Sequence, residues 1–321
     1  MKTSKLTLAM AILIGACAPQ VSPDTEIGQT SETSLEDVSK SETSAPARIV
    51  EYEMFNSAFV QPRNLSIWLP EGYGTDPDAR YKVIYAHDGQ NLFEPGYSYG
   101  GVEWRLDETA EALMADGKVP QAIIVGIWNT DARWQEYAPQ KVIENLTGDT
   151  SSEWLGPELP DLKGDAYLRF IVEELKPFID DTYLSLPDQD HTYIMGSSMG
   201  GLISLYAMAE YPDTFRRAAS VSIHWPLTEP EGAMAQQADA AMQAYLATSG
   251  IDAGKHTIWF DHGTETLDAA YPPHAEAMET WFRAQGWDEE QAIFKSYPGT
   301  DHSESAWAAR ADQILTFLLT D

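Results

Sequence analysis

The sequence predicts an α/β fold, a mostly parallel central sheet with helices on both faces and an antiparallel edge at its N-terminal end. Three observations predict it. Runs at 65–69, 81–87, 122–128, 192–195, 219–223, 257–260 and 292–297 are near-continuous in apolar residues, as strands buried on both faces are. Helical patterns separate many of them, at 106–115, 166–178, 202–209, 274–284 and 303–319. The first two strands, 49–59 and 65–69, follow one another without a helix, so they pair antiparallel at one edge.

Taken in order, the chain divides into 1–16, 17–47 and a single globular domain at 48–321. Lys2 and Lys5 precede an apolar run at 6–14 and then small residues, the order of a secretion signal, and the run is too short to span a bilayer. Cys17, the only cysteine of the 321 residues, follows Leu13, Ile14, Gly15 and Ala16. That position resembles a bacterial lipobox, whose cysteine becomes the lipidated first residue. The resemblance implies export and a lipid anchor in the bacterial envelope, and Ala18 in place of an aspartate implies the outer membrane. From 17 to 47 the chain is rich in Ser, Thr, Glu and Asp with scattered Pro and no periodic apolar face, which predicts a disordered tether.

Charge and composition exclude several functions. Fifty acidic residues against twenty basic ones give a formal charge of -30, and loss of Lys2 and Lys5 with the leader takes it to -32. Such a surface repels phosphate backbones, so nucleic acid is not a partner. One thiol cannot build an internal disulfide or a multi-cysteine metal site. Within the globular part, residues 129–165 carry Trp, Pro and Gly without a clear period and are too long for a plain connector, which predicts a lid or pocket wall.

The chemistry centres on Gly196-Ser197-Ser198-Met199-Gly200-Gly201, between a predicted strand and a predicted helix. This is the context of a Gly-x-Ser-x-Gly elbow, in which a sharp turn pushes Ser198 to the top of the sheet at the positive end of a helix. Glycines two residues either side let the flanking chain pass closely. A serine needs a base to take its proton, and His302, after the last strand and before the last helix, stands where this fold places one. His87, His224 and His262 read as structural. The acid that orients the base follows the strand at 257–260, where Asp261, Glu265 and Asp268 compete. Asp268 is favoured, with Glu265 second, because Asp261 still belongs to the strand end. For the oxyanion, one N–H comes from Met199 and the other from Gln90, if Gly89 makes the turn after the strand at 81–87.

These residues resemble the esterase D group of α/β-hydrolases, which includes carbohydrate family 1 acetylxylan and feruloyl esterases, siderophore esterases and mycolyltransferases. The likeness covers most of 81–318, through His-Asp-Gly-Gln-Asn-Leu-Phe at 87–93, the elbow at 196–201, Asp-His-Gly-Thr at 261–264 and Gly-Thr-Asp-His at 299–302 with Trp307 beyond. It implies an α/β-hydrolase fold, Ser198 as nucleophile, His302 as base, and Gln90 and Met199 as oxyanion donors. Relatives often carry the acid three residues after the glycine, where this chain has Thr266.

The expectation is a serine carboxylic-ester hydrolase working through an acyl-enzyme, with no metal or cofactor, on small acetyl or feruloyl esters of carbohydrates. Trp104, Trp128, Trp134, Trp154 and Trp225 lie in or near the loops at the catalytic end and read equally well as core or as pocket lining; Trp104, Arg133 and Trp225 are the candidate substrate contacts. A siderophore trilactone esterase is the rival; its anionic iron complex would need cations, and only Arg105 and Arg133 are near. A non-catalytic glycan-binding lipoprotein on the same scaffold is a third reading, against which the intact Ser198 and His302 argue. A metal site at Asp261, His262 and Glu265 has no spacing rule behind it.

Overall fold

A computed structural model describes residues 45–156 and 159–320. The leader, Cys17 and nearly all of the tether lie outside the described residues. Eight strands form one sheet: β1 (Arg48–Phe55), β2 (Arg63–Leu69), β3 (Lys82–His87), β4 (Ala122–Ile127), β5 (Thr192–Ser197), β6 (Arg217–Val221), β7 (Thr257–His262) and β8 (Ala292–Ser296). Their order is β1-β2-β4-β3-β5-β6-β7-β8. β1 pairs antiparallel with β2 and β2 with β4, and every other pair is parallel. The predicted architecture and its antiparallel edge are therefore both present.

Alternation along each strand feeds two cores. Val83, Tyr85, Ile123, Val125 and Ile194 pack on one face of the sheet, while Ile84, Ala86, Ile124, Tyr193 and Met195 pack on the other. On that second face lie α1 (Leu106–Ala115) and the last helix, and both bury an apolar stripe there. The first face is covered by helices between β4 and β8. Of these, α2 (Arg133–Tyr137) and α3 (Gln140–Glu144) sit inside the stretch expected to be a lid. Tyr137, Ala138, Val142 and Ile143 are fully buried, so the first part of that stretch is core, and residues 144, 145 and 147–149 beyond it are exposed.

The helix expected at 166–178 is α4 (Gly164–Arg169), a wider π turn at Phe170–Leu175 and then α5 (Lys176–Thr182). Pro177 opens α5, and its ring cannot continue a regular hydrogen-bond ladder from the preceding turn. Next come α6 (Met199–Glu210), α7 (Ala235–Leu246) and α8 (Pro272–Ala284). Sequence periodicity missed α7 because its buried stripe, Ala235, Ala238, Met242 and Leu246, is half alanine. The last helical pattern is broken into α9 (Glu304–Ala308) and α10 (Ala311–Leu319). The break falls on Arg310, which leaves helical geometry at φ -125° and turns its guanidinium inward.

Candidate active site

Ser198 stands between β5 and α6 at φ 57°, ψ -120°, a conformation that L residues adopt only under constraint. The constraint is visible. Its N–H donates to the Val221 carbonyl at 2.9 Å, and its own carbonyl accepts from Gly201 at 3.0 Å and His224 at 3.2 Å. A Cβ on Gly196 would lie 2.8 Å from the Gly200 carbonyl carbon, so the turn closes only without one. Met199 opens α6, and its N–H is among the first-turn donors that have no acceptor within the helix. The serine is half-buried, at the N-terminal end of a twelve-residue helix.

His302 reaches the same place from the loop after β8. Its Nδ1 donates to Asp268 Oδ1 at 2.5 Å, and the Asp268 side chain has no exposure. The other carboxylate oxygen accepts from Ser222 Oγ at 2.7 Å and from the Gly263 N–H at 2.5 Å. Burial alone would raise this carboxyl, but the His302 hydrogen bond and charge, with the Ser222 and Gly263 donors, hold it below its ordinary value. Glu265, the second choice for the acid, is exposed, with its backbone N–H on the Thr300 carbonyl. Thr266 takes a left-handed turn at φ 53° and its Oγ1 accepts from the His302 N–H at 2.9 Å. The carboxylate that meets the imidazole thus sits one short turn later than in the common family pattern.

Behind the pair lies a network that sequence reasoning did not find. Ser222, at φ 40° just beyond β6, donates to Asp268 and accepts from Trp307 Nε1 at 2.9 Å and Arg310 Nη2 at 2.8 Å, which uses its whole hydrogen-bonding capacity. Asp261 accepts from Arg310 at 2.7 and 3.2 Å, from Trp259 Nε1 at 2.7 Å and from the Ser222 N–H at 2.8 Å. It is committed to an ion pair with 2% and 0% side-chain exposure and cannot serve as the acid. His262 Nδ1 donates to the Gly263 carbonyl at 2.6 Å. The Asp261, His262 and Glu265 cluster is thereby divided among three different surroundings. Trp307 also stands edge-on to the His302 ring, 5.0 Å between centroids.

On the other side of Ser198, the loop after β3 carries Gln90 in a single tight turn, Gly89–Asn91. Gly89 opens that turn as expected, and the left-handed residue before it is Asp88, at φ 56°. Gly89 is needed for a different reason: a Cβ there would come within 2.5 Å of the Gly126 backbone on β4. Asp88 is held by Arg133 Nε at 2.8 Å and Nη2 at 2.7 Å and by Asn129 Nδ2 at 2.6 Å, while its N–H donates to the Tyr137 hydroxyl at 3.2 Å. Burial would raise the Asp88 carboxyl, but the Arg133 charge and hydrogen bonds outweigh it and keep it low.

Of the three candidate substrate contacts, one is paired with an acid and two lie in the core. Arg133 is spent on Asp88, where it fixes the loop that presents Gln90. Trp104 and Trp225 are each only 3% exposed: Trp104 packs on Trp307 at 5.5 Å and Trp225 on Phe260 at 5.3 Å. Both belong to the core, Trp104 on one face of the sheet and Trp225 on the other. Trp154 is the exposed tryptophan of the group, at 56%. Beside the turn that carries Asp268 opens a cleft of about 1050 Å³, with Ser151, Ser152, Glu153, Glu229, Glu231 and Thr266 in its walls.

Tyr271, which sequence reasoning passed over, is fully buried against both candidate catalytic side chains. Its hydroxyl faces the Ser198 side chain, which works against the burial that raises its pKa, and its ring stands edge-on to His302, 5.9 Å between centroids. No motif marks it.

Comparison with known proteins fits this geometry. The ferri-bacillibactin esterase BesA of Bacillus subtilis is 31% identical over 172 residues, 51% of this chain and 55% of that protein. The chain spans about half the length of the curated relatives it matches. A ferulic acid esterase structure superposes with a TM-score of 0.61 at 18% identity, over 85% of this chain and 98% of that one. The enterobactin esterase FES of Shigella flexneri superposes with a TM-score of 0.58 at 16% identity, over 85% and 58%. These likenesses show a shared fold. The model of the family described as Putative esterase matches residues 57–318, and the chain belongs to that family.

Proposed function

We propose that this protein is a serine carboxylic-ester hydrolase. The observation that carries the reading is Asp268 Oδ1 on His302 Nδ1 at 2.5 Å, beside a serine held at φ 57° on the first turn of a helix. In this reading Ser198 attacks the ester carbonyl and His302 Nε2, the nitrogen left free by Asp268, takes its proton. The N–H groups of Met199 and Gln90 receive the oxyanion, and His302 returns the proton to the departing alcohol. Water then attacks the acyl-Ser198 ester by the same route. Every role falls to this chain's own side chains and backbone.

The substrates proposed are uncharged small acyl esters, of the acetyl or feruloyl type on carbohydrates. Support comes from electrostatics. Arg133 is consumed by Asp88 and Arg105 is paired with Glu108, while the neighbouring cleft is walled by Glu153, Glu229 and Glu231. A polyanionic iron complex would meet like charge there. The test compares kcat/KM for acetylated and feruloylated sugars with that for a ferric tricatecholate trilactone. The uncharged esters should be favoured by about tenfold or more, the equivalent of about 1.4 kcal/mol. Preference for the ferric trilactone would overturn it in favour of a siderophore esterase, and inertness toward every ester would favour a glycan-binding lipoprotein.

A further inference from the structure

The direction of one hydrogen-bond chain beside Ser198 can be read from its far end. His224 Nε2 lies 2.7 Å from the Thr228 carbonyl, which can only accept, so Nε2 carries the hydrogen. Burial pushes the His224 pKa down to about 3, so the ring is neutral in ordinary buffers and its Nδ1 is a bare lone pair. The Tyr271 hydroxyl, 2.6 Å from that Nδ1, must therefore be the donor. Its proton is committed to His224, and its oxygen offers only lone pairs to its other neighbour, Ser198. Tyr271 is buried throughout, its edge is against the His302 ring, and Trp154 stacks over His224 at 5.8 Å with 19° between the planes.

In the free enzyme the Ser198 hydroxyl can satisfy that oxygen until it turns its one hydrogen to His302. Once Ser198 is acylated its Oγ has no hydrogen to give, and a buried acceptor next to the ester is left unpaired, which is costly. Water carries two hydrogens, whereas an alcohol carries one, and the base must take that one.

We propose that Tyr271 is a catalytic acceptor for deacylation, binding one hydrogen of the attacking water while His302 Nε2 takes the other, and so biases the enzyme toward hydrolysis over acyl transfer. The inference rests on the ester-hydrolase reading. The water oxygen bonds to the acyl carbon and its first proton passes to His302. The tetrahedral adduct then collapses, the bond between Ser198 Oγ and the acyl carbon breaks, and His302 delivers that proton to Ser198 Oγ. The second hydrogen leaves on the hydroxyl of the released acid.

The experiment is a partition measurement with an aryl acetate turned over in the presence of methanol, reading the ratio of methyl ester to free acid for the wild type and for Tyr271→Phe. Both products come from one acyl-enzyme, so the ratio is insensitive to the acylation rate and to the fraction of folded protein. Loss of one hydrogen bond to water is expected to raise the ratio about two- to tenfold. If Tyr271→Phe does not fold because His224 Nδ1 is orphaned, Tyr271→Phe/His224→Gln gives the Thr228 carbonyl a new donor and must show the same rise. An unchanged or lowered ratio overturns the role of Tyr271 while leaving the hydrolase standing. A wild type that releases neither product from any ester overturns the hydrolase reading, and this inference falls with it.

Discussion

The side of the site that carries Ser198 is built from backbone, and the side that carries His302 and Asp268 from side chains. Ser198 is placed by a left-handed φ, by the close passage of Gly196 and Gly200, and by main-chain bonds to Val221, Gly201 and His224. His302 is placed by Asp268, Asp268 by Ser222, and Ser222 by Trp307 and Arg310, which is itself pinned by Asp261. Those residues come from segments spread between 222 and 310. One side therefore depends on what a few consecutive residues allow sterically. The other depends on distant residues meeting in a fully satisfied polar network, which is costly to leave half-made.

Two ion pairs flank the site, one fully buried and one with its arginine partly exposed, and breaking each in turn sharpens the contrast. Arg310→Met leaves Asp261 charged, buried and short of two donors, and should cost about 3–5 kcal/mol of stability in urea titrations. Arg133→Met acts on a pair whose arginine is 33% exposed, so the stability loss should be smaller. Its main effect should be a kcat lowered about ten- to a hundredfold with KM little changed, because the loop that presents Gln90 is no longer held in register. If Arg133→Met proved the more destabilising of the two, with kcat intact, the division between a structural and a functional pair would be wrong.

A smaller effect separates the regions by pH. Burial holds His87 and His224 near pKa 3, whereas in the unfolded chain they titrate near 6.5. Between those values the unfolded state binds more protons, so stability falls as pH is lowered from about 6.5 toward 3 and is independent of these groups above that window. Each should contribute about 1.4 kcal/mol per pH unit, and the depressed carboxyls of Asp88 and Asp268 add to the loss at its acidic end. Urea unfolding at pH 7, 6 and 5 checks this, and His224→Gln should remove about half of the histidine slope. An unaltered slope in that variant would show that His224 is protonated in the native state.

How far the sequence could be read follows the same division. The strand runs, the antiparallel edge and the elbow were legible, since each rests on a local rule: apolar continuity, the absence of a crossover helix, and glycines around a serine. Asp268 was legible as the leading candidate only through chain order. What brings it to the imidazole is the left-handed turn at Thr266, which no propensity marks. Gly89 was legible as a turn residue, but the reason that only glycine fits there, its closeness to Gly126, is a long-range contact that no local rule marks. That Trp104 and Trp225 are core and not ligand contacts is decided by packing partners such as Trp307 and Phe260, which residue type does not reveal, and the pairing of Arg133 with Asp88 is equally long-range. Tyr271 and the Ser222 and Arg310 network carried no signal at all, being single residues whose meaning lies entirely in what they meet.

The most direct test of the central claim is intact-protein and peptide mass spectrometry after brief incubation with a slowly hydrolysed aryl ester or a fluorophosphonate. The account predicts one covalent adduct, located on Ser198, absent from Ser198→Ala and formed about 10⁴-fold more slowly in Asp268→Asn. An adduct on another residue, or ester turnover that survives in Ser198→Ala, would contradict it.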